Sequence, residues 1–245
     1  MKKETDLDSI KSTARTFLYL DINETPYGAM LVQHPFTNSG LVCLQNDKGH
    51  EFVNLLEDDN ALVRWRDLMK DRIQECENVY QLYLLVNKPY RIAFLKYTVD
   101  FMSRDDMSQI LADIWIGTES PNLDPNMSKA KLVSLFKKAN PNELMNEDEL
   151  RIFNQLADTV TIYRGVTSYN ADNIKALSWT LDYDKAEWFA NRFGEEDGTV
   201  YEAEIEKAHI LAYFNRRNES EVIVDPKHLI DIEETQSQSN GMTMI

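Results

Sequence analysis

Apolar residues recur along this chain at changing periods, and the changes mark its elements. Near the N terminus they fall into short runs bounded by turn residues, at 16–20, 29–32, 41–44 and 51–55, each of which predicts a strand. Asn46, Asp47, Lys48 and Gly49 supply a hairpin turn between the last two. From about residue 59 the spacing becomes helical. Leu62, Trp65 and Met69 set a stripe that Ile73, Cys76 and Tyr80 continue. Pro89 suits the first turn of a helix carrying Tyr90, Ala93, Phe94, Tyr97 and Phe101. Ser103 with Asp106 forms an N-capping pattern ahead of Met107, Ile110, Leu111 and Ile114. Ser128 caps a helix bearing Leu132, Leu135 and Phe136, and Asn146 with Glu149 caps another bearing Leu150, Phe153 and Leu156.

After Asp158 the period returns to two. Strands are predicted at 159–163, closing on Arg164 and Gly165, and at 176–180, 199–205, 210–214, 221–224 and 229–233. One helix interrupts them. Asp182 caps it, Ala186, Phe189, Ala190 and Phe193 form its apolar face, and Gly194 ends it. The polar end, 236–245, reads as a flexible tail. The order predicts an α+β protein. Residues 1–102 read as a mixed α/β region of unknown role, and 103–235 as the strand-rich domain with its leading helices.

Composition narrows the function. The chain has 245 residues, 26 of them basic and 41 acidic, for a net charge of −15. Such a surface repels phosphate backbones and anionic lipid, so a broad nucleic-acid footprint or membrane association is not expected. It favours a basic protein partner. Cys43 and Cys76 stand apart and build neither a disulfide framework nor a metal knuckle, which points to a reducing cytoplasm and no metal. The first residues offer no apolar core for a secretory signal.

Common catalytic signatures are missing. The sequence has no GxGxxG, no P-loop, no HExxH and no GxSxG. His34, His50, His209 and His228 are isolated and read as surface or core histidines. What remains is an ordered triplet: Tyr163-Arg164-Gly165 closing one strand, Ser178-Trp179-Thr180 on a second, and Glu219-Ser220-Glu221 opening a third. In this order the triplet resembles the mono-ADP-ribosyltransferases of the arginine–serine–glutamate class, over roughly residues 158–235. The compact, acidic design looks like bacterial or phage-encoded members, which would place it in the cytoplasm, the host's if phage-encoded.

The resemblance implies a split β-sheet core and NAD as substrate. Breaking the nicotinamide–ribose bond creates an oxocarbenium-like sugar. The second Glu of the E-x-E pair, Glu221, would stabilise that charge through the ribose. The first, Glu219, would prepare an acceptor, typically an arginine. Alternation would put both carboxylates on one strand face. Arg164 would hold the pyrophosphate through its planar fork, and Gly165 would let the backbone approach the ligand. Ser178 would support Glu221, with Thr180 on the same face and Trp179 in the core. Tyr213 or Phe214 would stack on nicotinamide or the acceptor, and Arg216 with Arg217 would meet an acidic target or sit in a salt-bridged turn. The middle motif is S-W-T where the family commonly has S-T-S, and 14 residues separate Arg164 from Ser178, fewer than in toxin-like members.

The expected activity is transfer of ADP-ribose from NAD to a macromolecular acceptor, a protein or less plausibly a nucleic acid. One alternative is an NAD glycohydrolase with water as acceptor. The other is a non-catalytic interaction or virion-associated protein on a degenerate transferase fold.

Overall fold

The computed structural model describes residues 3–47, 49–192 and 198–235. The expectations resting on Lys48, Phe193, Gly194 and the tail 236–245 lie outside these. The chain divides into two compact units, Met1–Thr118 and Glu119–Ile245. The boundary anticipated at 102/103 falls one helix earlier. Helices and antiparallel strands coexist, and the class is α+β.

The first unit opens with α1 (Leu7–Leu18). Asp6 caps it by accepting from Ser9 N at 3.0 Å. Ile10, Ala14 and Leu18 are fully buried. A strand at 16–20 was expected there, and the structure corrects this. The four-residue recurrence of those three positions lays one apolar stripe on a helix, and the run that reads as a strand is its last turn. Two hairpins follow. β1 (Asn23–Thr25) pairs with β2 (Gly28–Gln33), and β3 (Leu41–Asn46) with β4 (Gly49–Asn54). The second closes at Asn46↔Gly49, and Gly49 takes φ 125°, a region L side chains avoid.

Asp58 then caps α2 (Asp59–Glu75), whose Ala61, Trp65, Met69 and Ile73 are buried. The stripe breaks at Cys76, where the backbone turns extended, and Asn78 caps α3 (Val79–Leu85). Tyr80 therefore lies outside the stripe, 49% exposed. Pro89 sits in a 3₁₀ turn before α4 (Arg91–Thr98). That helix buries Ile92, Phe94 and Leu95 and leaves Tyr97 in solvent. Ser103 accepts from Asp106 N and caps α5 (Arg104–Gly117).

The second unit begins with α6 (Lys129–Lys138), capped by Ser128, then α7 (Pro141–Leu144) and α8 (Glu147–Gln155). Asn146 and Glu149 form a reciprocal capping box on α8. Next come β5 (Thr159–Val166), β6 (Ser178–Thr180), α9 (Tyr183–Asn191) under an Asp182 cap, β7 (Thr199–Glu206), β8 (Ile210–Phe214), β9 (Glu221–Val224) and β10 (Ile230–Glu234). The strands form one antiparallel sheet in the order β10-β7-β5-β6-β9-β8. β5 and β7 run together over eight residue pairs, whereas β5 and β6 share the single pair Tyr163↔Thr180. The sheet is nearly two three-stranded halves hinged at that pair. α9 packs on β5: Ala186 and Ala190 are fully buried, with Tyr163, Tyr183 and Val200 around them. Among the described residues no helix is long and apolar enough to cross a membrane.

Candidate active site

Arg164, Ser178 and Glu221 are far apart in sequence but lie on three neighbouring strands, β5, β6 and β9. The pairing of Thr180 with Tyr163 on one side and Glu221 on the other fixes this. The Ser178 hydroxyl donates to Glu221 Oε1. Arg164 Nη1 donates to the Ser178 backbone carbonyl at 2.6 Å. Desolvation pulls the Arg164 guanidinium down to about 10, against the Glu221 carboxylate, which pulls it up. Its Nε is buried with no hydrogen-bond partner among the described residues. A buried orphan donor is uncommon, and an anion is one thing that would satisfy it.

A further cation, which sequence reasoning missed, stands close. Lys129, at the first turn of α6, donates to Asn173 Oδ1 and, at 2.9 Å, to the Lys175 carbonyl. Partial desolvation, then the like charge of Arg164, lower its pKa. Asn173 is 7% exposed and its Nδ2 is a second orphan donor. No motif links Lys129 to Arg164. Only the fold of α6 against this unit's sheet joins them.

The E-x-E pair is arranged differently from the expectation. β9 starts at Glu221, and Glu219 lies before it in a turn where Asn218 and Ser220 take φ 57° and 47°. Strand alternation therefore does not set the direction of Glu219. Its carboxylate is held by Arg217, whose Nη2 lies 2.8 Å from Oε1. Arg216 pairs with Glu149 of α8 at 3.3 Å, and Glu149, 2% exposed, also accepts from Asn215 N at 2.9 Å. The two arginines thus brace the turn, the salt-bridged member of the two roles weighed for them.

Four other expected ligand contacts are corrected by the packing. Tyr213 and Phe214 are 3% and 2% exposed. Tyr213 N donates to Met145 Sδ at 3.3 Å, and the Phe214 ring lies 6.4 Å from that of Phe136, so neither offers a free face. Alternation puts successive rings on opposite faces, but here both faces of β8 are covered. Thr180 is buried and spends its hydroxyl on the turn, donating to the Glu219 carbonyl at 2.7 Å and accepting from Asp182 N at 3.1 Å. Gly165 makes room for α9, since a Cβ there would stand 2.1 Å from the Ala186 carbonyl oxygen. Trp179 is core, 2% exposed, with Nε1 donating to the Ala176 carbonyl at 3.0 Å.

An exposed aromatic ring near Glu219 is Trp188 on α9, 60% exposed and edge-on to Phe189 at 5.0 Å. With Asp182, Lys185, Arg217 and Glu219 it lines a pocket of about 490 Å³. Its position two residues from both Ala186 and Ala190, about 200° round the helix, is the sequence signal that marks it as outward-facing. Among the described residues no group of three or more His, Cys, Asp or Glu converges as a metal site. No protein-family model, curated protein or solved structure matches this chain.

Proposed function

We propose that the protein is an NAD-dependent mono-ADP-ribosyltransferase with the split-sheet core of that class. The observation that carries the reading is the hydrogen-bonded Ser178–Glu221 pair on β6 and β9 beside Arg164 on β5. Ordered motifs scattered over nearly 60 residues would have no reason to converge if each were a chance match. The single-pair hinge between β5 and β6 also suits a sheet that splits around a ligand.

In this reading Arg164 and Lys129 hold the NAD phosphates, and Glu221 faces the ribose next to nicotinamide. The C–N bond to nicotinamide breaks with its electron pair leaving on the nicotinamide nitrogen. The positive charge left on the ribose is stabilised by the Glu221 carboxylate, which the Ser178 hydroxyl keeps in one orientation. An acceptor nitrogen or oxygen then forms the new bond to the ribose carbon and gives its proton to a base or to water. Trp188, exposed beside Glu219, is the ring placed to cover nicotinamide or the acceptor.

One observation favours hydrolysis as a second reading. Glu219 is ion-paired to Arg217, so it is not a free base for an acceptor, and water needs less activation than a guanidinium. Incubation with NAD labelled in the adenylate half tests both. Nicotinamide release with label on protein supports transfer. Release without label supports hydrolysis, and no release overturns both.

A further inference from the structure

Lysines are distributed unevenly over the second unit. Eight lie between residues 119 and 235, and five of them, Lys129, Lys137, Lys138, Lys175 and Lys227, line one groove of about 720 Å³. They come from three places in the sequence: α6, the segment before β6, and the turn after β9. The carboxylate in the lining is Asp225, and Lys137 already holds it at 2.6 Å. In a chain of net charge −15, this is a local reversal of sign. Lys175 and Lys227 are solvent-exposed.

The rest of the lining distinguishes between anionic partners. Val133, Pro226 and Leu229 give the groove an aliphatic floor, and none of its lining residues is aromatic. Single-stranded nucleic acid binds through aromatic rings on which bases stack, as well as through cations. This groove has the cations without the rings. A peptide segment that alternates carboxylates with aliphatic side chains meets both halves of the lining, charge on the lysines and apolar groups on the floor.

We infer that this groove docks an acidic, aliphatic segment of a protein partner. That the partner is the ADP-ribose acceptor rests on the reading of the site given above, but the binding itself does not. The groove thus narrows the partner beyond what net charge implies. The overall acidic surface favours basic proteins, whereas this surface selects an acidic stretch. Screening follows as well, because contacts between exposed charges weaken as salt rises.

Fluorescence anisotropy of a labelled glutamate–leucine peptide with the full chain, without NAD, tests the inference. Saturable binding is expected, tighter than that of oligothymidylate or a lysine–leucine peptide. The double variant K175E/K227E should raise Kd at least about tenfold, equivalent to about 1.4 kcal/mol. K175R/K227R should keep it near the wild-type value. Neither pair replaces Arg164, Lys129, Ser178 or Glu221, and the Lys175 carbonyl that Lys129 bonds is backbone and survives both substitutions, so nicotinamide release from free NAD should be the same in both. No binding, or equal binding by wild type and K175E/K227E, overturns the inference. Tighter binding of oligothymidylate overturns it in favour of nucleic acid. A concentration-dependent dimer that K175E/K227E abolishes overturns it in favour of a second copy of this chain. Peptide binding by wild-type protein that releases no nicotinamide from NAD would sink the transferase reading and leave the docking groove standing.

Discussion

The Ser178 hydroxyl donates to Glu221 Oε1 across the β6–β9 pair, where Ser178 stands opposite Ile223 and Thr180 opposite Glu221. A hydroxyl on that oxygen limits how the carboxylate can turn. Glu221→Gln keeps the shape and removes the charge. Nicotinamide release should fall at least about a hundredfold, the scale for losing one key electrostatic group, with the circular dichroism spectrum unchanged. Ser178→Ala should cost less, about tenfold, since it loosens the carboxylate without removing it. Near-normal turnover in Glu221→Gln would remove the catalytic assignment.

Arg164 combines a structural bond with an orphan donor. Lysine keeps the charge but cannot reach two acceptors in one plane. Arg164→Lys should therefore raise the NAD dissociation constant at least about tenfold, by loss of the charge-assisted fork. Melting of the ligand-free protein should change only by the loss of one hydrogen bond, about 1 kcal/mol. Titration calorimetry and a thermal melt on the same sample separate the two. A large fall in melting temperature with binding unaltered would make Arg164 purely structural.

Glu219 separates transfer from hydrolysis. If it prepares an acceptor, Glu219→Gln abolishes labelling of protein while NAD cleavage by water continues. Releasing it from its partner should act the other way, so Arg217→Ala should increase labelling relative to hydrolysis. The ratio of labelled protein to free ADP-ribose measures this. Loss of both activities in Glu219→Gln would mean that the carboxylate supports NAD itself.

Gly165 gives a prediction about folding alone. A methyl group there would meet the α9 backbone at Ala186 O and at Ala190 N, 2.1 and 2.6 Å away, and neither can move without shifting the helix. Gly165→Ala should destabilise the protein by about 1–3 kcal/mol or more, the usual cost of forcing extra volume into a packed interior. A denaturant titration reads this directly. Unchanged stability would show that α9 is free to move away from β5.

His34 makes the first unit sensitive to acid. It is fully buried, with its ring 5.3 Å from Trp65 and Nδ1 accepting from Phe36 N at 3.1 Å. Desolvation lowers its pKa to about 4; the charge of Arg66 acts in the same direction, and the Leu18 and Leu20 backbone opposes it. The unfolded imidazole takes its proton near 6.5, so the stabilising difference is fully present above that pH and is lost as pH falls from 6.5 toward 4. The loss is at most on the order of 3 kcal/mol. Hydrogen exchange around His34 should accelerate over that window, and His34→Leu should flatten the response.

Local signals carried most of the secondary structure. Caps at Ser103, Ser128, Asn146 and Asp182 depend on one side chain and the amide three residues on, all within a single turn. β7 alternates over 203–206, with Ala203 and Ile205 buried and Glu204 and Glu206 exposed, whereas β8 and β9 are covered on both faces. The misread segment, 16–20, is short and apolar, and such a run looks alike in a strand and at a helix end until its longer-range period is traced. Glu219 and Glu221 were read as neighbours on one strand because spacing alone cannot reveal that the backbone passes through positive φ at Ser220.

The chain's own order of residues determined the α+β class, the caps, and the three strands that carry Arg164, Ser178 and Glu221, since each depends on interactions reaching only a few residues along the backbone. Tertiary structure decided which of those strands are neighbours, that Tyr213, Phe214 and Thr180 are enclosed while Trp188 is open, that Lys129 approaches Arg164, and that five lysines from three segments share one groove. It also brought His209 and His228, isolated in sequence, into a stack with centroids 3.5 Å apart. These relations join residues tens of positions apart. Strand pairing and the packing of helices on the sheet determine them, and neither is encoded in the spacing of any single segment.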